Sequence, residues 1–279
     1  MSETGDIIRF LRQKAGFSQK TLAKALHITD KAISKWERGI CLPDVALLPK
    51  LSLLLDVDIG MLVSKSGEQE EWTGLIEIYG CDLSRIVCDK PLVYYLLMHF
   101  LLLGIRDVCF LTSEENRAYL SAGTFGEFGF RFSFEAPDCR RLMILHHPWF
   151  LFGSNLTDQF RGAMLSGRNI GLKPENQEPV VFFARSGDSF ADRKSFTESA
   201  ASRTLGRGMI CLDMSDPDRL PDIAAFIRTY QQNSGLLIGS LEEIAWRRGI
   251  LSDEKLAHFA DTVPYGEMLR TLAGKPQVD

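Results

Sequence analysis

Ser18-Gln19-Lys20-Thr21-Leu22-Ala23-Lys24-Ala25-Leu26-His27-Ile28-Thr29-Asp30-Lys31-Ala32-Ile33-Ser34-Lys35-Trp36-Glu37-Arg38-Gly39 is the stretch that decides how the N-terminal part of the chain folds. Ser18 is a good N-cap, because its side-chain oxygen can accept from an unpaired N–H of the first helical turn. The helix it opens, Gln19 to Leu26, carries apolar residues at 22, 23 and 26. His27 and Ile28 form a turn. Thr29 caps a second helix, Asp30 to Arg38, which stops at Gly39, a residue that tolerates left-handed geometry. Ala23 is small where the two helices cross, and Ile28, Ile33 and Trp36 are the apolar positions that fix the crossing.

Outward from this pair, Asp6 to Arg12 reads as an amphipathic helix with apolar residues at 7, 8, 10 and 11, ended by Gly16-Phe17. Pro43-Asp44 starts a fourth helix through Leu55, and Ile59 to Val63 begins a short fifth. Ser64 to Glu71 is polar, aperiodic and glycine-containing, which marks a linker, placed at 65–72. The 279 residues are 45% hydrophobic and 24% charged, ordinary for a globular protein and long enough for two domains. The net charge of −4 is unevenly spread. Residues 1–66 hold 10 Lys and Arg against 7 Asp and Glu, so only this basic head suits a polyanion. The cysteines at 41, 81, 88, 109, 139 and 211 form no C-x-x-C pair and no metal-ligand spacing, the usage of reduced thiols. The acidic start Met1 to Asp6 lacks signal-peptide character, and the longest apolar run, Leu92 to Ile105, is too short for a bilayer. A cytoplasmic location without membrane association is expected.

The pattern Ser18-Gln19-x-x-Leu22-Ala23-x-x-Leu26-x-Ile28-x-x-x-x-Ile33-Ser34-x-Trp36-Glu37-x-Gly39, with the Pro43 turn and the closing segment Leu51 to Asp58, resembles the lambda-repressor-like (XRE-type) helix-turn-helix family. Asp30, Lys31, Ser34 and Lys35 face outward near the start of the second helix, where side chains reach base edges when that helix lies in the major groove. Thr29 stands beside them in the DNA-facing set. The resemblance assigns base reading to the same positions and gives Gln19 a phosphate or base contact. Lys20, Lys24 and Arg38 suit phosphate contacts, which add affinity without sequence selectivity. Trp36 reads as core, and Asp30 reads equally well as a helper in capping. Glu37 would repel DNA, and the family pattern pairs it with Arg12 as scaffolding.

Beyond the linker the texture alternates. Strands are predicted at Thr73 to Tyr79, Val108 to Thr112, Phe130 to Phe134, Leu142 to Leu145 and Val180 to Ala184. Helices are predicted at Pro91 to Gly104, Glu114 to Ala122, Asp222 to Gln232, Ser240 to Arg247 and Ser252 to Ala260. Such alternation specifies a layered α/β domain. Two blocks in it resemble the sugar-1-phosphate nucleotidyltransferases, most closely glucose-1-phosphate thymidylyltransferase. The first runs from Asp89-Lys90-Pro91-Leu92-Val93-Tyr94-Tyr95 to Thr112-Ser113-Glu114-Glu115. The second joins Leu205-Gly206-Arg207-Gly208 and Leu212-Asp213 to Leu241-Glu242-Glu243-Ile244-Ala245-Trp246 and Tyr265-Gly266-Glu267-Met268-Leu269.

The expected organisation is therefore an all-α helix-turn-helix domain over 1–64, a linker over 65–72 and, over 73–279, a truncated three-layer Rossmann-like domain of the nucleotide-diphospho-sugar transferase type. The resemblance implies a glycine-rich phosphate cradle after the first strand and two carboxylates holding Mg²⁺. At the cradle stands Gly80-Cys81-Asp82-Leu83-Ser84-Arg85-Ile86, with one glycine. At the first carboxylate stands Leu145-His146-His147-Pro148, and Asp213 remains as a vestige of the second. His146 and His147 are neighbours on a strand and point to opposite faces, so they do not share a metal ion. Asp89 and Lys90 lie in a turn that the family uses to position the following helix. The expectation is a sequence-specific transcriptional regulator that binds double-stranded DNA as a homodimer or larger homo-oligomer. Its body is expected to be no enzyme, to have no cofactor, and to serve oligomerisation and sensing of a nucleotide, nucleotide sugar or sugar phosphate. The alternative is an active sugar-1-phosphate nucleotidyltransferase with a regulatory DNA-binding head.

Overall fold

The computed structural model describes residues 3–55, 72–137, 141–153, 155–166, 168–175, 177–185 and 200–273. The expected fifth helix at Ile59 to Val63, nearly all of the linker, and Cys139 lie outside these residues. The chain divides into two compact units. One comprises Met1–Glu70 with Arg161–Arg168, the other Glu71–Phe160 with Asn169–Asp279.

The first unit is helical. It contains α1 (Glu3–Lys14), α2 (Gln19–Leu26), α3 (Asp30–Glu37), a 3-10 turn at Val45–Leu47 and α4 (Leu48–Leu55). Ser18 Oγ accepts from Thr21 N at 3.0 Å and so caps α2. His27 leaves α2 in the left-handed region (φ 59°), and Gly39 does the same after α3 (φ 67°). Leu22, Ala23, Leu26, Ile33 and Trp36 are buried together with Ile8, Leu11, Leu48, Leu51 and Leu55. Two expectations need correction. Thr29 holds the position before α3 but makes no side-chain capping bond: Asp30 Oδ1 takes the Lys31 N–H at 2.9 Å, and the Thr29 backbone carbonyl takes the Ala32 N–H at 3.0 Å. The fourth helix opens as the 3-10 turn, since the Asp44 carboxylate accepts from Ala46 N and tightens the backbone there.

The second unit is built on a mixed seven-stranded sheet. Its strands are β1 (Thr73–Glu77), β4 (Asp107–Leu111), β5 (Arg131–Ser133), β6 (Arg141–Leu145), β8 (Ile170–Lys173), β9 (Val181–Arg185) and β10 (Ala201–Thr204), in the order β10-β8-β9-β6-β1-β4-β5. Two short antiparallel pairs join β2 (Ile86–Val87) to β3 (Lys90–Pro91) and β7 (Trp149–Phe152) to β11 (Ile210–Asp213). The helices are α5 (Leu92–Leu103), α6 (Glu114–Ala122), α7 (Leu156–Met164, whose residues from Arg161 on belong to the first unit), α8 (Leu220–Ser234), α9 (Leu241–Arg247), α10 (Asp253–Ala260) and α11 (Gly266–Ala273). The helix α5 is apolar all round and accordingly buried along nearly its whole length, ending at Gly104 (φ 83°). It packs so closely on β1 that a Cβ at Gly74 would stand 2.7 Å from the Phe100 ring.

Strands β1, β4, β5 and β6 run parallel, with β4 and β6 on opposite sides of β1. The strand order reverses at β1, and in open α/β sheets the crevice at such a reversal, beyond the carboxyl ends of the strands, is where ligands bind. Glu77 ends β1 there, and His146 and His147 follow β6.

Candidate functional site

In the helical unit α3 is held from behind by Glu37. Its carboxylate is 2% exposed and receives Arg12 Nε on Oε1 at 2.5 Å and Gln19 Nε2 on Oε2 at 2.7 Å. Arg12 also donates to the Phe17 carbonyl at 2.7 Å. One buried acid thus ties together α1, α2 and α3. Burial pushes its pKa up, but the hydrogen bonds from Arg12 and Gln19, with the charges of Arg12 and Arg9, outweigh burial and hold it below the ordinary carboxylate value.

With Ile33, Trp36 and Glu37 turned inward, Lys31, Ser34, Lys35 and Arg38 form one stripe on the other side of α3, spaced i, i+3, i+4 and i+7. Lys31, Lys35 and Arg38 are exposed, as are Thr29, Asp30, Lys20 and Lys24, while Ser34 is half-buried. Arg38 lies along its own helix, donating from Nε to the Ser34 carbonyl at 3.2 Å. Gln19 is half-buried and engaged with Glu37, so in this state its amide supports the scaffold.

In the α/β unit the position expected for the cradle is a tight loop in which three consecutive N–H groups are already bonded within the protein. Leu83 N donates to Asn116 Oδ1 at 3.0 Å, Ser84 N to Asp82 Oδ1 at 2.9 Å, and Arg85 N to the Asp82 carbonyl at 3.3 Å. Asn116, buried in α6, also donates to the Cys81 carbonyl and to Thr112 Oγ1, each at 2.9 Å. Beyond β6 the adjacent histidines diverge. His146 Nδ1 is 3.5 Å from Glu77 Oε2, with its ring edge-on to Phe182. His147 Nε2 meets Asp213 Oδ1 at 2.7 Å and tilts over Trp149. The same Asp213 oxygen accepts from Ser215 N at 2.8 Å and Ser215 Oγ at 2.7 Å. Burial raises the Asp213 pKa, yet the bonds from Ser215 and His147 bring it below the usual value. Mg²⁺ demands hard oxygen ligands. An aspartate oxygen already holding three donors, with an imidazole opposite, does not fit that ion. Among the described residues no group of three or more His, Cys, Asp or Glu side chains is placed to hold a metal.

Asp89 and Lys90 anchor a buried network. The Lys90 ammonium is fully buried, 2.8 Å from Asp89 Oδ1, 3.4 Å from Gln231 Oε1 and 3.8 Å from the centre of the Tyr265 ring. Tyr265 and Ser240 donate to Glu242 Oε2 at 2.9 and 3.0 Å. Burial lowers the Lys90 pKa despite Asp89, and raises that of Glu242. Gln231 and the role of Glu242 were not read from the sequence, because nothing local ties position 231 or 242 to position 90.

The two units define a helix-turn-helix head followed by a nucleotidyltransferase-like α/β body. A family model described as Helix-turn-helix matches residues 8–62, which supports a DNA-binding regulator. The C-terminal region is homologous to glucose-1-phosphate thymidylyltransferase. The Neisseria meningitidis protein of that name is 27% identical over 261 residues, covering 68% of this chain and 91% of the relative. The Mycobacterium tuberculosis protein is 42% identical over 60 residues, 22% of this chain and 21% of the relative. Among solved structures, 4-diphosphocytidyl-2C-methyl-D-erythritol synthase from Anaerococcus prevotii aligns with a TM-score of 0.39 at 8% identity, over 58% of this chain and 100% of that one. The 261 aligned positions of the Neisseria relative draw on only 68% of 279 residues, so the body is truncated relative to it. The expectation that the body is no enzyme is overturned: the relatives it matches across most of their length are named as enzymes. Among the described residues no helix is long and apolar enough to cross a membrane.

Proposed function

We propose that the protein is a cytoplasmic, sequence-specific transcriptional regulator, with its DNA-binding domain over 1–64, a linker over 65–72 and a body over 73–279. The observation that carries this reading is the outward stripe of Lys31, Ser34, Lys35 and Arg38 on a helix whose other side is held by the buried Glu37. Asp30, Lys31, Ser34 and Lys35 read bases. Gln19, Lys20, Thr29 and Arg38 contact the backbone, and Gln19 exchanges its bond to Glu37 for one to DNA. One such module binds weakly, so two copies act on a palindrome. The body holds them together and senses a nucleotide, nucleotide sugar or sugar phosphate.

The double variant Lys31→Ala with Lys35→Ala is expected to lose its preference for DNA from upstream of its own gene over mixed-sequence DNA in a mobility-shift titration. The loss is about 1–3 kcal/mol for each base-reading contact removed. Retained selectivity in that variant overturns the assignment of α3. Sensing predicts a rise in melting temperature with dTTP, dTDP-glucose or glucose-1-phosphate at millimolar concentration, and no rise with any of them removes it.

The match to enzymes over most of their length favours a second reading, in which the body transfers a thymidylyl group to glucose-1-phosphate. Pyrophosphate release from dTTP, glucose-1-phosphate and Mg²⁺ by the full chain distinguishes it from the first.

A further inference from the structure

We infer that in this chain the His147 side chain, with Ser215, holds the place beside Asp213 that the resemblance to the nucleotidyltransferases implies for a divalent cation, so that the crevice at the end of β1 and β6 takes its ligand without metal. Three observations converge. Asp213 Oδ1 is saturated by donors from His147 and from both the backbone and the hydroxyl of Ser215. Ser215 Oγ also stands 3.3 Å from His147 Nε2, which closes the cluster into a three-membered ring of contacts. The geometry is built in by strand pairing: Asp213 faces Trp149 in the register of β11 on β7, and the tilted stack of His147 on Trp149 keeps the imidazole over the carboxylate. The cluster is not a nucleophilic triad, because serine and aspartate converge on the same ring nitrogen instead of on opposite ones.

The inference rests on the body being a ligand-binding relative of the nucleotidyltransferases. Its test uses the metal alone, so the two can fail separately. Mn²⁺, which shares the oxygen-ligand preference of Mg²⁺, is titrated into the full chain, and the free ion is followed by electron paramagnetic resonance. The wild type is expected to leave millimolar Mn²⁺ free, with Asp213→Asn indistinguishable from it. His147→Asp, and His147→Glu as a second variant, put a carboxylate opposite Asp213 and are expected to bind Mn²⁺ at least about tenfold more tightly. His147 is 38% exposed, so both changes are tolerated by the fold, and melting curves check this. Saturable Mn²⁺ binding by the wild type that Asp213→Asn abolishes overturns the inference while leaving effector binding untouched. Failure of both folded variants to gain Mn²⁺ also overturns it, because His147 would then not be what excludes the ion.

Discussion

Glu37→Ala is expected to destabilise the helical head by about 3–5 kcal/mol, the cost of leaving one partner of a buried ion pair without the other. The partner left behind is Arg12, 8% exposed, whose guanidinium otherwise receives its charge compensation at 2.5 Å. Arg9 contributes little to this figure. It is 40% exposed and 3.7 Å from the carboxylate, the range in which ion pairs are worth about 0–1 kcal/mol. Because the chain has two units, a single unfolding transition is not a suitable readout. Hydrogen exchange of peptides within residues 3–55 reports the head by itself, and protection there is expected to collapse while the strands β1, β4 and β6 keep theirs. The pH dependence has a definite sign. A carboxylate with a folded pKa below its ordinary value of 4.5 stabilises the fold fully above that value, and the contribution fades as pH falls through the folded pKa. The difference between wild type and Glu37→Ala should therefore be constant at neutral pH and shrink in acid below about pH 4.5. A difference that grows on acidification refutes this account of Glu37.

Lys90→Ala is expected to cost a similar amount, about 3–5 kcal/mol, in the body. It removes a fully buried ammonium from between Asp89, Gln231 and the Tyr265 ring, and leaves the Asp89 charge to neutral donors such as Gln231 Nε2 at 3.0 Å. Lys90→Met refills the volume but still strands Asp89. Adding Asp89→Asn to Lys90→Met removes both charges, and replacement of a whole buried pair by groups of similar size is often neutral. The double variant should accordingly recover most of the loss, read as protection of the α5 and α8 peptides. Equal instability of Lys90→Met and the double variant contradicts a charge-pair origin and leaves packing under Tyr265 as the cause.

What was legible in the sequence was what neighbours in sequence decide. Ser18 caps α2, Gly39 leaves α3, and the apolar spacing of Leu22, Leu26, Ile33 and Trp36 matches their burial. In the body, the predicted α6 and the strands β1, β4 and β6 lie where local pattern placed them. Strands β7, β8, β10 and β11 were not anticipated. They are four residues each, and β7 is stabilised by β11 from some sixty residues further on. Their existence follows from long-range ladders, to which periodicity within a short window is blind. The same reason hid the chemistry of the body. His147 read as one of two neighbouring histidines that do not share a metal ion and Asp213 as a vestige, and only the pairing of β7 with β11 brings them to 2.7 Å. Thr29 shows the reverse error, a good local signal that lost: its hydroxyl is suited to capping but makes no capping bond, and the next residue's carboxylate accepts the Lys31 N–H.

The meeting of three helices on the Glu37 carboxylate has a consequence for how this head can diverge. Neither position 12 nor position 37 can change alone without stranding its charge, so the pair is expected to drift only in concert, through a double replacement such as Arg12→Leu with Glu37→Leu. Gln19 is then released from the acid that engages it, and the stripe proposed to meet the operator is altered from the inside, with Lys31 and Lys35 themselves unchanged.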